Sequence, residues 1–99
     1  MAKYILSNKA VNDLADIWNY TYDTWSEKQA DKYYTLLIDI CQALAEGKII
    51  GKKYEVVSID LSGLKVGQHI IFYRKSTGDD IEVARILHSR MDLKNKTEE

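Results

Sequence analysis

Between residues 8 and 46 apolar side chains recur at steps of three and four, and the pattern breaks once, at Thr24-Trp25-Ser26. Two helical patterns meeting at so short a junction must fold back on each other as a hairpin, since only a longer connection could send the second helix elsewhere. In the first, Ala10, Leu14, Ile17, Trp18, Tyr22 and Trp25 share one face, which places Asp13, Asp16 and Asn19 toward water. Ser7 or Asn8 supplies its N-cap. Ser26 with Gln29 reads as a capping box that opens the second helix, and Gly47 ends it. Ala30, Tyr33, Leu37, Ile40, Cys41 and Leu44 form its core face, while Tyr34, Ile38 and Ala45 widen the apolar surface beyond a single stripe. A helix apolar on more than one side calls for a second partner.

The flanking segments have a different period. Residues 3–7 alternate around Tyr4, Ile5 and Leu6 and read as a short strand entering the first helix. Residues 49–64 are mixed, mostly loop, with a possible strand at 55–59 and a further short one at 64–66. Residues 68–75 and 81–88 are rich in β-branched and aromatic side chains, and Ser76-Thr77-Gly78-Asp79-Asp80 joins them as a hairpin turn. The order strand, helix, helix, strands specifies an α+β fold: a helical hairpin packed on a small antiparallel sheet. Residues 1–92 form a single domain on this reading, and residues 93–99 a polar tail.

Composition narrows the function. The chain has 99 residues, 45% of them hydrophobic, which suits one domain with a real core. A net charge of −1 argues against direct DNA binding through bulk electrostatics. That charge is split: residues 1–47 carry four basic and seven acidic side chains, and residues 48–97 carry ten basic and six acidic. One cysteine, Cys41, permits no internal disulfide, and the first residues hold no apolar run of signal-peptide or membrane-span length, so the cytoplasm is the expected location.

No phosphate-cradling glycine loop, metal-ligand spacing or Ser-His-Asp pattern is present, so no cofactor or metal is expected. His69 and His88 stand at the ends of the two strong strands that a hairpin brings together. Pairing them directly puts both rings on one face; slipping the register by one residue separates them and sets Arg74 opposite Glu82. The sequence leaves both registers open. Cleavage of RNA through its 2′-hydroxyl needs a base, an acid and cations, roles that His69, His88, Arg74, Arg85 and Arg90 could fill. The plainer reading is two hydrogen-bonded histidines at strand ends. Arg85 interrupts an apolar strand, so it either faces the sheet's open surface or meets a carboxylate such as Asp92 or Asp60. Trp18, Tyr22 and Trp25 at helical spacing read as core aromatics, with an exposed patch as the alternative.

Asp13-Leu14 with Ile17, Tyr20, Trp25, Gln29-Ala30 and Tyr33, followed by Gly63-Leu64, His69-Ile70-Ile71-Phe72-Tyr73-Arg74 and Arg85-Ile86-Leu87-His88-Ser89-Arg90-Met91-Asp92, resemble the ParE-type toxins of the RelE/ParE superfamily. The resemblance implies the toxin of a bacterial type II toxin-antitoxin pair. It implies hetero-oligomers with a cognate antitoxin, and DNA gyrase as the target inhibited by protein binding. The RelE branch instead implies a ribosome-dependent mRNA endoribonuclease without metal; here His69 stands where such toxins often carry an arginine, and no tyrosine follows His88. Tyr22, Tyr34 and Ile38 are the expected antitoxin contacts. Lys65, Arg74, Arg85, Arg90 and Lys94 are the expected basic patch for antitoxin or target.

Overall fold

The computed structural model describes residues 2–54 and 60–90. Its elements are β1 (Tyr4–Leu6), α1 (Asn8–Thr24), α2 (Glu27–Ala45), β2 (Lys52–Lys53), β3 (Ser62–Val66), β4 (His69–Lys75) and β5 (Ile81–His88). Ser7 caps α1, its Oγ accepting from the Ala10 N–H at 3.0 Å, and Ser26 caps α2 by accepting from the Gln29 N–H at 3.1 Å. At the far end of α2, the N–H of Gly47 donates to the Leu44 carbonyl and that of Lys48 to the Ala43 carbonyl. This double closure turns the chain through a left-handed residue, and Gly47 takes it at φ +74°. β2 pairs with Gly63 and Ser62 inside the stretch read mostly as loop; the possible strand at 55–59 lies outside the described residues.

The sheet order is β1-β5-β4-β3-β2. The meander β2 to β5 is antiparallel as expected, but β1 lies parallel to β5, so the sheet is mixed. The helical hairpin carries the chain out and back, and the meander then returns it so that β5 enters beside β1 running the same way. Ala10, Leu14, Ile17, Leu37, Cys41 and Leu44 from the helices pack on Ile71, Val83 and Ile86 of the sheet. A second cluster, Leu61, Ile70, Phe72 and Leu87, fills the opposite sheet face. Burial pushes the Cys41 thiol up to about 11, so it is a core residue without thiolate character at neutral pH.

The two registers left open by the sequence both occur. His69 to Phe72 pair with His88 to Arg85, and Tyr73 to Lys75 pair with Val83 to Ile81, because the register shifts between Phe72 and Tyr73. Ala84 is the residue left over. This bulge inverts the alternation of β5: Ile81 and Val83 belong to the helix-side core, and so does Ile86, while Leu87 joins Phe72 on the other face. His69 therefore stands opposite His88, and Arg74 opposite Glu82, in one hairpin.

Beside the bulge, β5 outruns its neighbour. β1 has 3 residues against 8 in β5, and side chains take over where β1 stops. Ser7 donates its N–H to the Val83 carbonyl at 3.0 Å and its hydroxyl to the Ala84 carbonyl at 2.7 Å. Asp13 then accepts from the Ile86 N–H at 3.0 Å and from Arg85 Nε and Nη2 at 2.8 and 2.9 Å. Asp13 is thus not turned to water but is a carboxylate that meets Arg85; of the two candidates named from the sequence, Asp92 lies outside the described residues. Helical spacing ranked Asp13 as exposed because nothing in α1 reveals the strand edge beneath it. With the two side chains only 11% and 15% exposed, Asp13→Ala removes a charged acceptor from a largely buried guanidinium and from a strand amide. Denaturant unfolding should show a loss of about 3–5 kcal/mol.

Candidate functional site

A groove of about 970 Å³ opens between the end of α1, the start of α2 and the ends of β4 and β5. Ile17, Tyr20 and Trp25 line one side, Tyr33 the other, and His69 and His88 lie at the strand ends. A smaller hollow of about 230 Å³ shares Asp16, Ile17, His69 and His88 and reaches to Asp13 and Arg85. Trp25 is 74% exposed and Tyr20 68%, so these aromatics are groove walls rather than core. Of the three aromatics read as core, Trp18 is half-buried and donates its indole N–H to Asp31 at 3.0 Å, tying α1 to α2. Tyr22 stacks on it, ring centroids 5.2 Å apart, and is itself exposed.

The histidines are held in defined protonation patterns. The Tyr33 hydroxyl donates to the Val66 carbonyl at 3.0 Å and lies 2.7 Å from His69 Nδ1. It has one proton, so both contacts are satisfied when His69 donates from Nδ1, which assigns Nε2 as the acceptor. His88 Nδ1 accepts from the Arg90 backbone N–H at 3.1 Å, so its neutral ring carries the proton on Nε2. The rings are 5.4 Å apart, edge to face. Gly67 makes the arrangement possible: it turns β3 into β4 at φ +57°, and a Cβ there would meet Tyr33 Oη at 2.9 Å. Burial lowers the His69 pKa below its ordinary 6.5, the neighbouring His88 lowers it further, and Asp13 partly opposes both.

The remaining candidates are dispersed. Arg74 lies on the opposite face of β4 from His69, near Asp60 at 3.8 Å. Arg85 is engaged by Asp13. Of the five residues suited to RNA cleavage, the two histidines meet and Arg90 lines the same groove, whereas Arg74 lies on the other face and Arg85 is paired with Asp13. Lys65 is exposed on β3 and Arg90 is exposed beside the groove, while Lys94 lies outside the described residues. Tyr34 is exposed on α2, and Ile38 is half-buried against the core. Sequence reasoning placed Tyr33 in the core and gave the groove no walls. The available signal was the pairing of a tyrosine on a core face with a glycine turn, which only the folded chain brings together.

Among the described residues no group of three His, Cys, Asp or Glu side chains could hold a metal ion. Fold and site thus define a small α+β protein with an aromatic-walled groove at the strand ends. Residues 4–93 match the family described as the ParE toxin of the type II toxin-antitoxin system, parDE. The chain is 35% identical over 92 residues to Toxin ParE1 of Mycobacterium tuberculosis, covering 93% of this chain and 94% of that one. It is 33% identical to Toxin ParE1 of Caulobacter vibrioides, covering 95% and 96% of the two chains, and 32% identical to Toxin ParE of Escherichia coli, covering 94% and 90%. A chain of the chromosomal ParDE toxin-antitoxin system from P. aeruginosa shares the fold at a TM-score of 0.73, with 18% identity and coverage of 89% and 95%. The chain belongs to the ParE toxin family of type II toxin-antitoxin systems.

Because folding favours the neutral His69 ring, the unfolded chain binds more protons as pH drops through 6.5. The His69 contribution to stability is full above that pH and declines below it, down to the folded pKa. Denaturation midpoints measured across this window should fall with acid, and His69→Asn should flatten the decline. Tyr33→Phe should release the fixed tautomer, seen as a change in the His69 ring nitrogen shifts.

Proposed function

We propose that this chain is the toxin of a bacterial toxin-antitoxin pair, acting in the cytoplasm by binding DNA gyrase rather than by covalent chemistry. A cognate antitoxin neutralises it. The observation that carries the reading is the family match across residues 4–93, together with relatives of nearly equal length that are themselves named ParE toxins. Gyrase is the target that the family resemblance implies. The pairing of Arg85 with Asp13 and the placement of Arg74 on the other sheet face support binding over RNA cleavage, since the first guanidinium is held by a carboxylate and the second faces away from the histidines. Among the described residues no helix is long and apolar enough to cross a membrane.

The exposed rings of Tyr22 and Tyr34, with Ile38 beside Tyr34 one helical turn on, support an antitoxin contact on the outer face of the hairpin. Lys65 and Arg90 are exposed basic side chains that suit an acidic partner, and Lys94 of the expected patch lies outside the described residues.

Purified protein in molar excess should block gyrase supercoiling, and antitoxin should restore it. Induced cells should show DNA damage with intact transcripts; early transcript cleavage without damage would move the assignment to the ribonuclease branch. Replacing Tyr22 and Tyr34 together by Ala should weaken antitoxin binding by about 2 kcal/mol or more in calorimetry while leaving the unfolding midpoint close to that of the parent.

A further inference from the structure

We propose that the groove binds a nucleotide, its phosphate held by the two histidines and Arg90 and its base lying against Tyr20 and Trp25. This goes beyond the gyrase reading and does not rest on it. The argument begins with the fixed tautomers. With these assignments His69 keeps a bare Nε2 and His88 a protonated one, so the pair, its rings 5.4 Å apart, offers one acceptor and one donor. A ligand that satisfies both must itself donate and accept, as a singly protonated phosphate does through P–OH and P–O⁻. A dianion satisfies them equally once His69 Nε2 takes up a proton. That uptake leaves the Tyr33 hydrogen bond intact, because the bond uses the other ring nitrogen.

The charged groups around the pair favour an anion on balance. Asp13, the carboxylate of α1 nearest the sheet, is neutralised by Arg85, and Asp16 is exposed and screened by water. On α2 the facing group is the Tyr33 hydroxyl, and Arg90 adds a cation beyond β5. Nothing ties the exposed Trp25 and Tyr20 rings to a core role, whereas an aromatic base would stack on them without regard to its identity. The groove volume of about 970 Å³ lies at the upper end of the range for small-ligand sites.

The test follows the histidine ring signals of the full chain by NMR while adenosine 5′-monophosphate, inorganic phosphate or adenosine is added at about 1 mM, the scale of a weak site. The nucleotide should raise the His69 titration midpoint and bind about tenfold more tightly than phosphate. Trp25→Ala should erase that advantage, and Arg90→Ala should weaken nucleotide and phosphate alike; both side chains are exposed, so unchanged unfolding midpoints would certify the variants. Four results would each overturn the proposal: an unmoved His69 signal, adenosine binding as well as the nucleotide, phosphate binding as tightly as the nucleotide, or wild-type nucleotide binding in both variants. A supercoiling assay on the same samples reports separately on gyrase, so failure of either reading leaves the other standing.

Discussion

Asp13 does the work of a missing strand. β1 ends at Leu6, and without a substitute the outer edge of β5 would present bare backbone groups beneath the helical layer. A carboxylate from the second turn of α1 takes the Ile86 amide and the Arg85 guanidinium together, so helix and sheet are joined by charge-assisted hydrogen bonds as well as by apolar contact. The ion pair is partly buried, and removal of either member leaves the other in a poorly solvated place. Its consequence reaches the smaller hollow: a guanidinium that lines it with the histidines is committed to holding the architecture.

The bulge at Ala84 is the second constraint. A regular β5 would have kept Ile81, Val83, Arg85 and Leu87 on one face, placing a guanidinium in the helix-side core. One extra residue moves Ile86 and His88 to the helix side instead, which completes the core and brings His88 to His69. The charged cross-strand positions Arg74 and Glu82 lie before the bulge and the histidine pair beyond it, so each half of the hairpin keeps the register its own side chains favour.

Much of this was legible in the sequence wherever the cause is local. The caps Ser7 and Ser26, the stop at Gly47 and the bounds of β5 follow from hydroxyls, glycine conformation and hydrophobic period within a few residues. The partnership of Asp13 with Arg85 spans 72 positions, and no neighbour of either residue signals it. The bulge was hidden because two registers each satisfied one side-chain pair, and the parallel setting of β1 depends on the whole chain. At the site, the histidines announced themselves as titratable residues at strand ends. The walls did not, since Tyr20, Trp25 and Tyr33 occur at helical spacing whether they face a core or a cleft.

The parallel union of β1 with β5 also bears on when the molecule can exist. The strand nearest the start of the chain is completed by the last described one, through the longest loop closure the topology contains. The helical hairpin can form as it is synthesised, but Ser7 and Asp13 wait for carbonyls and amides not yet made. A nascent chain therefore carries an open hairpin with its apolar face unpaired until β5 has been translated and released. In a protein of this family, that order delays assembly of the groove until synthesis is nearly over, and leaves the exposed helices as the surface an early-arriving partner would meet.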